Sequence, residues 1–194
     1  MHNGQIQKLE CALYVVATPI GNLRDISLRA LDVLAAADVI AAEDTRTTQH
    51  LLTHHGIRAQ RLLALHQHNE RTAADTVIAL LVQGQAVALV SDAGTPAVSD
   101  PGAVLVEMVR SAGQRVIPLP GANAALAALS AAGMTAPHFL FYGFLPNKSA
   151  ARTHALQQLA ASASLRTSSG RRRLSASRAS STDLRWLAAT RGFG

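Results

Sequence analysis

The sequence is poor in the features that mark secreted and membrane proteins. Its single cysteine, Cys11, excludes an internal disulfide framework and fits a reducing cytoplasm. No apolar run approaches the roughly 20 residues that span a bilayer. The polar segment over residues 1–10 has neither an apolar stretch nor a small-residue cleavage site. The sequence therefore predicts a cytoplasmic protein without a signal peptide or a membrane segment.

Two common nucleotide-binding motifs are missing as well. No Gly-x-Gly-x-x-Gly follows the first predicted strand, and no Gly-x-x-x-x-Gly-Lys-Ser/Thr occurs in the chain. Standard NAD and nucleoside triphosphate sites are therefore disfavoured.

Most of the chain also lacks an excess of charge of either sign. Residues 1–165 carry 11 basic and 11 acidic side chains, whereas residues 166–194 carry seven Arg and one Asp, so the net charge of +6 arises in the C-terminal segment. A polyanion-binding arm is thus confined to the C-terminus. The body of the chain offers no charge-based argument for RNA binding.

Short apolar runs alternate with helical patterns along most of the chain, which is typical of a parallel α/β sheet. The 194 residues, 48% of them apolar, suffice for one good core or two small ones. The predicted strands are the apolar runs Ala12–Ala17, Val39–Ala42, Arg61–Leu65, Ala86–Val90, Arg115–Leu119 and Phe139–Gly143. The predicted helices are the segments Ser27–Ala37, Thr47–His55, Arg71–Gln83, Gly102–Ala112, Asn123–Ala132 and Ser149–Ala161.

A boundary between two α/β domains is predicted at Pro118–Gly121, because two prolines in three residues cannot continue a central strand. We therefore expect a polar extension over residues 1–11, a first domain over 12–119 and the start of a second over 120–165. Residues 166–194 are rich in Arg and Ser without apolar periodicity, which predicts a disordered tail.

Three loops rich in Gly, Pro and polar residues follow predicted strands: Thr18–Asp25, Ser91–Gly102 and Pro120–Ala124. The carboxyl ends of parallel strands share one edge of a sheet, so we expect the loops to gather there and to bind a ligand. Ordinary turns and helix caps are the alternative. In the second loop, Ser99 or Asp100 is expected to cap the next helix.

A fourth polar segment, Ala42–Arg46, lies just before the start of a predicted helix. Asp44 or Thr45 suits an N-cap there, but the adjacent Glu43 and the guanidinium of Arg46 favour contact with a substrate.

A fifth polar segment contains two histidines, His66 and His68, followed by Glu70. No third ligand with recognisable spacing supports a metal site, and we expect no metal. A helix start at Asn69 and Glu70 is one alternative. The other is polar contact with a substrate, with a histidine as proton acceptor.

Five segments together resemble one family. They are Leu13–Ile26, Ala42–Arg46, His66–Glu70, Ser91–Gly102 and Gly143–Pro146. In this order and spacing, over about residues 12–160, the chain resembles the bacterial small-subunit ribosomal RNA methyltransferase I family, the RNA-modifying branch of the tetrapyrrole methylase superfamily.

The resemblance implies an α/β protein with a parallel-sheet N-terminal domain of the tetrapyrrole methylase type and a second α/β domain. It also implies a homodimer that binds S-adenosyl-L-methionine between its domains. The implied substrate is the ribose 2′-hydroxyl of a cytidine in the 16S ribosomal RNA of the small subunit. By position, cofactor contacts fall on Pro19, Ile20, Gly21, Asp92, Ala93, Gly94, Thr95, Asn123 and Ala124.

The substrate roles follow less directly from the matched motifs. A ribose hydroxyl loses its proton late in methyl transfer, and the candidate acceptors are Glu43, Asp44 and His66. The candidates for holding phosphate or the target nucleotide are Arg46, Asn69, Lys148 and Arg152.

The chain departs from the family after about residue 165, where family members continue through the second domain. One GC-rich codon choice for Ser168–Arg173, shifted by one base, encodes Leu-Val-Trp-Glu-Ala-Pro, which is similar to a segment of those members. We therefore interpret residues 166–194 as a frameshift product and the second domain as incomplete. The open alternatives are an active enzyme, an inactive truncated copy, a precorrin or porphyrin C-methyltransferase, and a non-enzymatic polyanion-binding α/β module.

Overall fold

The computed structural model describes residues 8–66, 68–135 and 139–167, with side chains as far as residue 160. Backbone contacts divide the chain into two units, Met1–Ala124 and Ala125–Gly194, and each is described by itself. Beyond Thr167, the predicted Arg/Ser-rich tail lies outside the described residues, as do the first seven residues of the polar extension.

The first unit is built on a five-stranded parallel sheet in the order β3-β2-β4-β1-β5. Its strands are β1 (Leu13–Val16), β2 (Val39–Ala42), β3 (Leu62–Ala64), β4 (Val87–Val90) and β5 (Val116–Leu119). Its helices are α1 (Leu28–Ala36), α2 (Thr45–His54), α3 (Glu70–Val82) and α4 (Ala103–Ser111). The predicted parallel α/β fold is confirmed, and each element of this unit lies within two residues of its predicted bounds.

Three strands, β1, β2 and β4, are buried along their whole length, because helices cover both faces of the sheet. Successive side chains of a strand point to opposite faces. Tyr14 and Val16 pack in the core cluster that contains α1, while Leu13 and Val15 pack in the cluster that contains α3 and α4. A fully buried aliphatic side chain contributes about 1.5–3 kcal/mol. The apolar runs therefore hold the centre of the sheet, and the polar loops remain at its ends.

The proline-containing strand β5 lies at an edge of the sheet and pairs only with β1, with Val15 opposite Pro118. Proline has no N–H for a sheet ladder, and an edge strand forms hydrogen bonds on one side only. The sheet therefore accommodates Pro118, and the strand ends at Leu119 before the second proline.

The second unit differs from its prediction at Phe139–Gly143. The prediction of a strand there is wrong, because these residues form no strand. The described part of the second unit contains no strand that they could pair with. A strand needs a neighbour to pair its backbone N–H and C=O groups. Without one the segment stays open to solvent, and Leu140 is 76% exposed.

Two helices complete the described chain. α5 (Ala124–Ala131) spans the boundary between the units, and α6 (Ser149–Thr167) begins as predicted but continues past Ala161. None of the helices in the described ranges is both long and apolar enough to span a bilayer.

Candidate functional site at the carboxyl edge of the sheet

Two of the three predicted ligand loops are joined by their backbones. The Thr18 N–H donates to the Gly94 carbonyl at 2.8 Å, and the Gly94 N–H donates to the Thr18 carbonyl at 3.0 Å. The buried Thr18 hydroxyl donates to the Ser91 carbonyl at 3.0 Å. The loops meet because they follow β1 and β4, which are neighbours in the sheet. Their shared bridge forms the floor of the candidate site.

The third loop reaches the same place through close backbone packing. A Cβ on Gly121 would lie 2.7 Å from the Ala17 Cβ, so only glycine fits beside the end of β1. The Thr95 hydroxyl donates to the Ala122 carbonyl at 3.0 Å. A Cβ on Gly94 would lie 3.4 Å from the Ile20 side chain. The structure thus brings the three loops together around Gly94.

The remaining predicted cofactor residues lie on these loops. Pro19 is buried, whereas Gly21 and Ala93 are exposed. Asn123 is half-buried, and Ala124 is exposed at the start of α5.

The second loop has an unusual backbone. Ala97 and Ser99 have φ values of 64° and 65°, a left-handed conformation that costs a residue with a Cβ about 1–2 kcal/mol. Such conformations persist only where the surroundings enforce them. Here Pro96 and Pro101 are buried, and a Cβ on Gly102 would lie 3.0 Å from the Leu89 side chain. The loop is therefore held in a shape that its own residues do not favour.

The predicted cap of α4 is wrong. The N-cap is Gly102, which has no side chain to accept a hydrogen bond. Instead, Oε1 of Glu70 accepts from the N–H groups of Gly102 and Val104, both at 2.8 Å, and of Leu105 at 3.2 Å. Sequence reasoning placed Glu70 at the start of its own helix and missed this contact, because the two segments are about thirty residues apart.

Carboxylates meet beside the loop floor. The Asp44 N–H donates to Asp92 Oδ1 at 3.1 Å, and the Asp92 N–H donates to Glu43 Oε2 at 3.4 Å. Burial raises the pKa of Glu43, with the charges of Asp92, Asp100 and Asp44 adding to the effect against the hydrogen bond from Asp92. Burial, and then the charge of Asp44, raises the pKa of Asp92, although the hydrogen bond from the Asp44 N–H opposes the shift.

Asp100 is an acid of this region that sequence reasoning treated only as a cap. Burial raises its pKa, and the charge of Asp92 adds to the effect. Its position on the second loop, three residues before the start of α4, gave no sequence signal for this environment.

Asp44 has a different environment from its neighbour Glu43. It is the N-cap of α2, where its Oδ1 accepts from the Arg46 N–H at 2.8 Å, and its Oδ2 pairs with the Arg46 guanidinium at 2.9 Å. The hydrogen bond from the Arg46 side chain, followed by that from the Arg46 N–H, lowers the pKa of Asp44. The capping alternative is thus correct for Asp44, and Arg46 projects from the helix with its side chain 91% exposed.

The histidine segment forms a clamped loop after β3. Oδ1 of Asn69 accepts from the His66 N–H at 2.8 Å, and its Nδ2 donates to the Ala64 carbonyl at 3.0 Å. His66 and His68 are exposed, with ring centroids 6.1 Å apart. Among the described residues, no three His, Cys, Asp or Glu side chains are grouped to hold a metal ion.

The other two predicted RNA contacts lie in the second unit. Lys148 and Arg152 are exposed near the start of α6, where the Arg152 N–H donates to the Lys148 carbonyl at 2.9 Å. The Arg152 guanidinium also donates to the Asn147 carbonyl at 3.3 Å.

A cavity of about 590 Å³ lies on one side of the second loop. It runs along α4 and β5 and includes Thr95, Pro96, Arg110 and Val116. The volume suits a small molecule, but neither Asp92 nor Glu43 lines it. We therefore locate the candidate site at the loop junction and its carboxylates, where the polar groups converge.

The chain is similar to known proteins over most of its length. Residues 12–189 match the family model for tetrapyrrole (corrin/porphyrin) methylases. A protein of Escherichia coli O157:H7 named ribosomal RNA small subunit methyltransferase I is 59% identical over 149 residues, covering 77% of this chain and 52% of that protein. A protein of the same name from Mesorhizobium japonicum is 56% identical over 153 residues, covering 79% and 52%. The chain thus spans about half the length of the curated relatives it matches.

A solved structure is also similar. Uroporphyrin-III-C-methyltransferase from Thermus thermophilus gives a TM-score of 0.49 at 26% sequence identity, covering 66% of this chain and 54% of that one.

The raised pKa values of the carboxyls beside the second loop predict a pH dependence of stability. A raised folded-state pKa means that the folded chain binds more protons than the unfolded chain, so the stability contribution of Asp92 falls as pH rises through the carboxyl range. Asp92→Asn removes that charge and keeps an oxygen that can accept from Asp44. We expect the Tm of the variant minus that of the wild type to be larger at about pH 7 than at about pH 4, measured by circular dichroism. A difference that stays constant or shrinks would contradict the assignment.

The contact at Gly121 predicts a rescue by a second substitution. Gly121→Ala places a Cβ 2.7 Å from that of Ala17, and overpacking of this kind costs about 1–3 kcal/mol. Ala17→Gly should destabilise the wild type but restore stability in the Gly121→Ala background, because it removes the conflicting atom. Urea unfolding of the four proteins measures this. Additive losses in the double variant would show that the third loop does not pack on β1 as described.

Proposed function

Because the chain belongs to the tetrapyrrole (corrin/porphyrin) methylase family, we propose that it transfers a methyl group from S-adenosyl-L-methionine to the ribose 2′-hydroxyl of a cytidine in 16S ribosomal RNA. The observation that carries the proposal is the junction of three loops around Gly94 at the carboxyl edge of the sheet. The RNA substrate is supported by relatives that are 54–59% identical and are named ribosomal RNA small subunit methyltransferase I.

The junction suits S-adenosyl-L-methionine chemically. When bound, this cofactor supplies a methyl carbon that is already activated by a sulfonium. Its carboxylate and ammonium require hydrogen-bond donors and an acceptor, which backbone N–H groups and the carboxylate of Asp92 can provide. Gly94 and Gly121 have no side chains, which lets their loops pack closely against Ile20 and Ala17 and brings the loop backbones together.

We assign the cofactor contacts to residues of the three loops. They are Pro19, Ile20 and Gly21 of the first loop, Asp92, Ala93, Gly94 and Thr95 of the second, and Asn123 and Ala124 of the third. Alignment of the attacking oxygen with the activated carbon is the main requirement of such a displacement. A rigid floor meets this requirement better than a mobile loop.

Glu43 is the proposed proton acceptor. Its pKa is raised by burial, whereas that of Asp44 is lowered by Arg46, and a general base works best when its pKa lies near the working pH. The carboxylate of Glu43 would accept the proton that the ribose hydroxyl loses. His66 is exposed on the clamped loop and is the second candidate.

The RNA contacts are proposed for exposed cations. Arg46 projects beside the carboxylates, and Lys148 and Arg152 are exposed on the second unit. Both the oxygen and the nitrogen of the Asn69 side-chain amide form hydrogen bonds within its own loop. We therefore propose that Asn69 mainly maintains the shape of this loop and that RNA contact is secondary. The partner would be 16S ribosomal RNA or the small ribosomal subunit in the cytoplasm. The homodimer implied for full-length family members remains part of this proposal.

Cofactor binding is tested by calorimetry with S-adenosyl-L-methionine. We expect wild-type binding and a loss of about ten- to hundredfold in affinity for Asp92→Ala, because a hydrogen bond to a charged group contributes about 1.5–3 kcal/mol. Asp38→Ala is the matched control, since the Asp38 carboxylate also accepts from a backbone N–H, that of Ala86 at 2.7 Å, but at the opposite end of the sheet. Equal affinities for the wild type and Asp92→Ala would refute the cofactor site.

Methyl transfer is tested with labelled cofactor and small ribosomal subunits that lack the modification. Glu43→Gln should lower the rate constant at saturating cofactor by about 100-fold or more, the usual contribution of a general base. Asp44→Asn should have a much smaller effect, because Asp44 is already paired with Arg46. Equal effects of the two substitutions would remove Glu43 from its proposed role. Cofactor binding without label in the RNA would refute the substrate assignment alone.

A further inference from the structure

Glu70 connects two loops that are far apart in the sequence. A helix begins with N–H groups that have no partner within the helix, and the N-cap of α4, Gly102, has no side chain to serve them. One oxygen of Glu70, Oε1, accepts from Gly102, Val104 and Leu105 at 2.8, 2.8 and 3.2 Å. The negative charge also lies at the positive end of the helix dipole. The start of α4 is thus fixed by a residue of α3.

The contact also fixes one end of the second loop. The other end is held at Gly94 by its two backbone hydrogen bonds with Thr18. Between these points lie Ala97 and Ser99, whose left-handed backbones need outside support. The backbone hydrogen bond from the Ala97 N–H to the Pro101 carbonyl, within this stretch, is long at 3.4 Å. The two anchored ends therefore support the shape of the loop, together with the hydrogen bond from Thr95 to Ala122 and the burial of Pro96 and Pro101.

On its other side, Glu70 follows the clamped histidine loop. Asn69 binds the backbone of His66 and of Ala64, and Glu70 is the next residue and the first of α3. The carboxylate of Glu70 therefore ties the loop after β3 to the loop after β4, although β2 lies between these strands in the sheet.

We propose that Glu70 is a positioning residue, which holds the second loop in the conformation that presents Asp92 and Gly94 to S-adenosyl-L-methionine. The inference rests on the proposed function, because it assigns that cofactor to the loop. The carboxylate of Glu70 lies at the start of α4 and acts through the backbone N–H groups that it accepts from. Its removal should release the loop end at Gly102 and let the strained residues relax, so that the cofactor meets a less organised site.

The test compares Glu70→Ala and Glu70→Gln in the full 194-residue chain. Glutamine keeps an oxygen at the Oε1 position, which can accept the same three hydrogen bonds. We expect Glu70→Ala to weaken S-adenosyl-L-methionine binding by about tenfold, as for the loss of a helix cap. Glu70→Gln should stay within about threefold of the wild type. Asp38→Ala is the control for general loss of stability, because it removes a similar carboxylate contact at the other end of the sheet.

Hydrogen exchange supplies a readout that does not need the cofactor. Amide exchange at Gly102, Val104 and Leu105 should become faster in Glu70→Ala even if Glu70 were only a helix cap. A positioning role also predicts faster exchange at Gly94 and Ala97, which Glu70 does not contact, and predicts no such change in Asp38→Ala.

The possible results separate the two proposals. Unchanged affinity together with unchanged exchange at Gly94 and Ala97 would reduce Glu70 to a helix cap and overturn the inference. Equal losses of affinity in Glu70→Ala and Asp38→Ala would overturn it too, since both would then reflect global stability. A wild-type chain that binds no cofactor would refute the proposed function, and exchange at Gly94 and Ala97 would still decide whether Glu70 shapes the loop.

Discussion

The backbone bridge between Thr18 and Gly94 is the interaction on which the rest of the site depends. It consists of two hydrogen bonds, of 2.8 and 3.0 Å, between loops that leave the neighbouring strands β1 and β4. The Thr18 hydroxyl is buried, and a buried polar group must find a partner, so its bond to the Ser91 carbonyl fixes the position of the bridge further. The third loop then packs against the end of β1 through Gly121. These contacts are made by backbone atoms and by the short side chains of Thr18 and Ala17.

Environment separates acids that the sequence places side by side. Glu43 and Asp44 are adjacent carboxylates after the same strand, yet burial raises the pKa of the first while Arg46 lowers that of the second. The difference arises because Asp44 begins α2 as its cap, with the Arg46 guanidinium against it. Glu43 instead faces the second loop and lies near Asp92 and Asp100. Asp44 therefore stabilises the start of α2, whereas Glu43 has the raised pKa on which its proposed role as a proton acceptor rests.

The two units carry different parts of the proposed function. The proposed cofactor residues belong to the first unit, Met1–Ala124, in which both faces of the sheet are packed. Lys148 and Arg152, two of the three cations proposed for RNA, belong to the second. The described part of that unit has helices and an exposed apolar segment at Phe139–Phe144, and the chain spans about half the length of its curated relatives. Arg46, the third cation proposed for RNA, belongs to the first unit, so the proposed cofactor contacts lie in one unit and the proposed RNA contacts lie in both.

The sequence by itself determined the strands, the helices and the positions of the three loops in the first unit. Burial on both faces produces continuous apolar runs, and turns need Gly, Pro and polar residues, so these features are local and can be read from neighbouring residues. The prediction at Phe139–Gly143 failed because it used local information alone. An apolar run indicates that a segment can form a strand, but a strand also needs a neighbouring strand to pair with.

The tertiary structure alone decided how these local elements are connected. The cap of α4 is Glu70, not Ser99 or Asp100, and no local pattern records a contact between residues about thirty positions apart. The edge position of β5, the packing of Gly121 on Ala17 and the raised pKa of Glu43 likewise depend on strand order and burial. The sequence pattern indicates which side of each segment is buried. Only the folded chain brings residues from distant segments into contact.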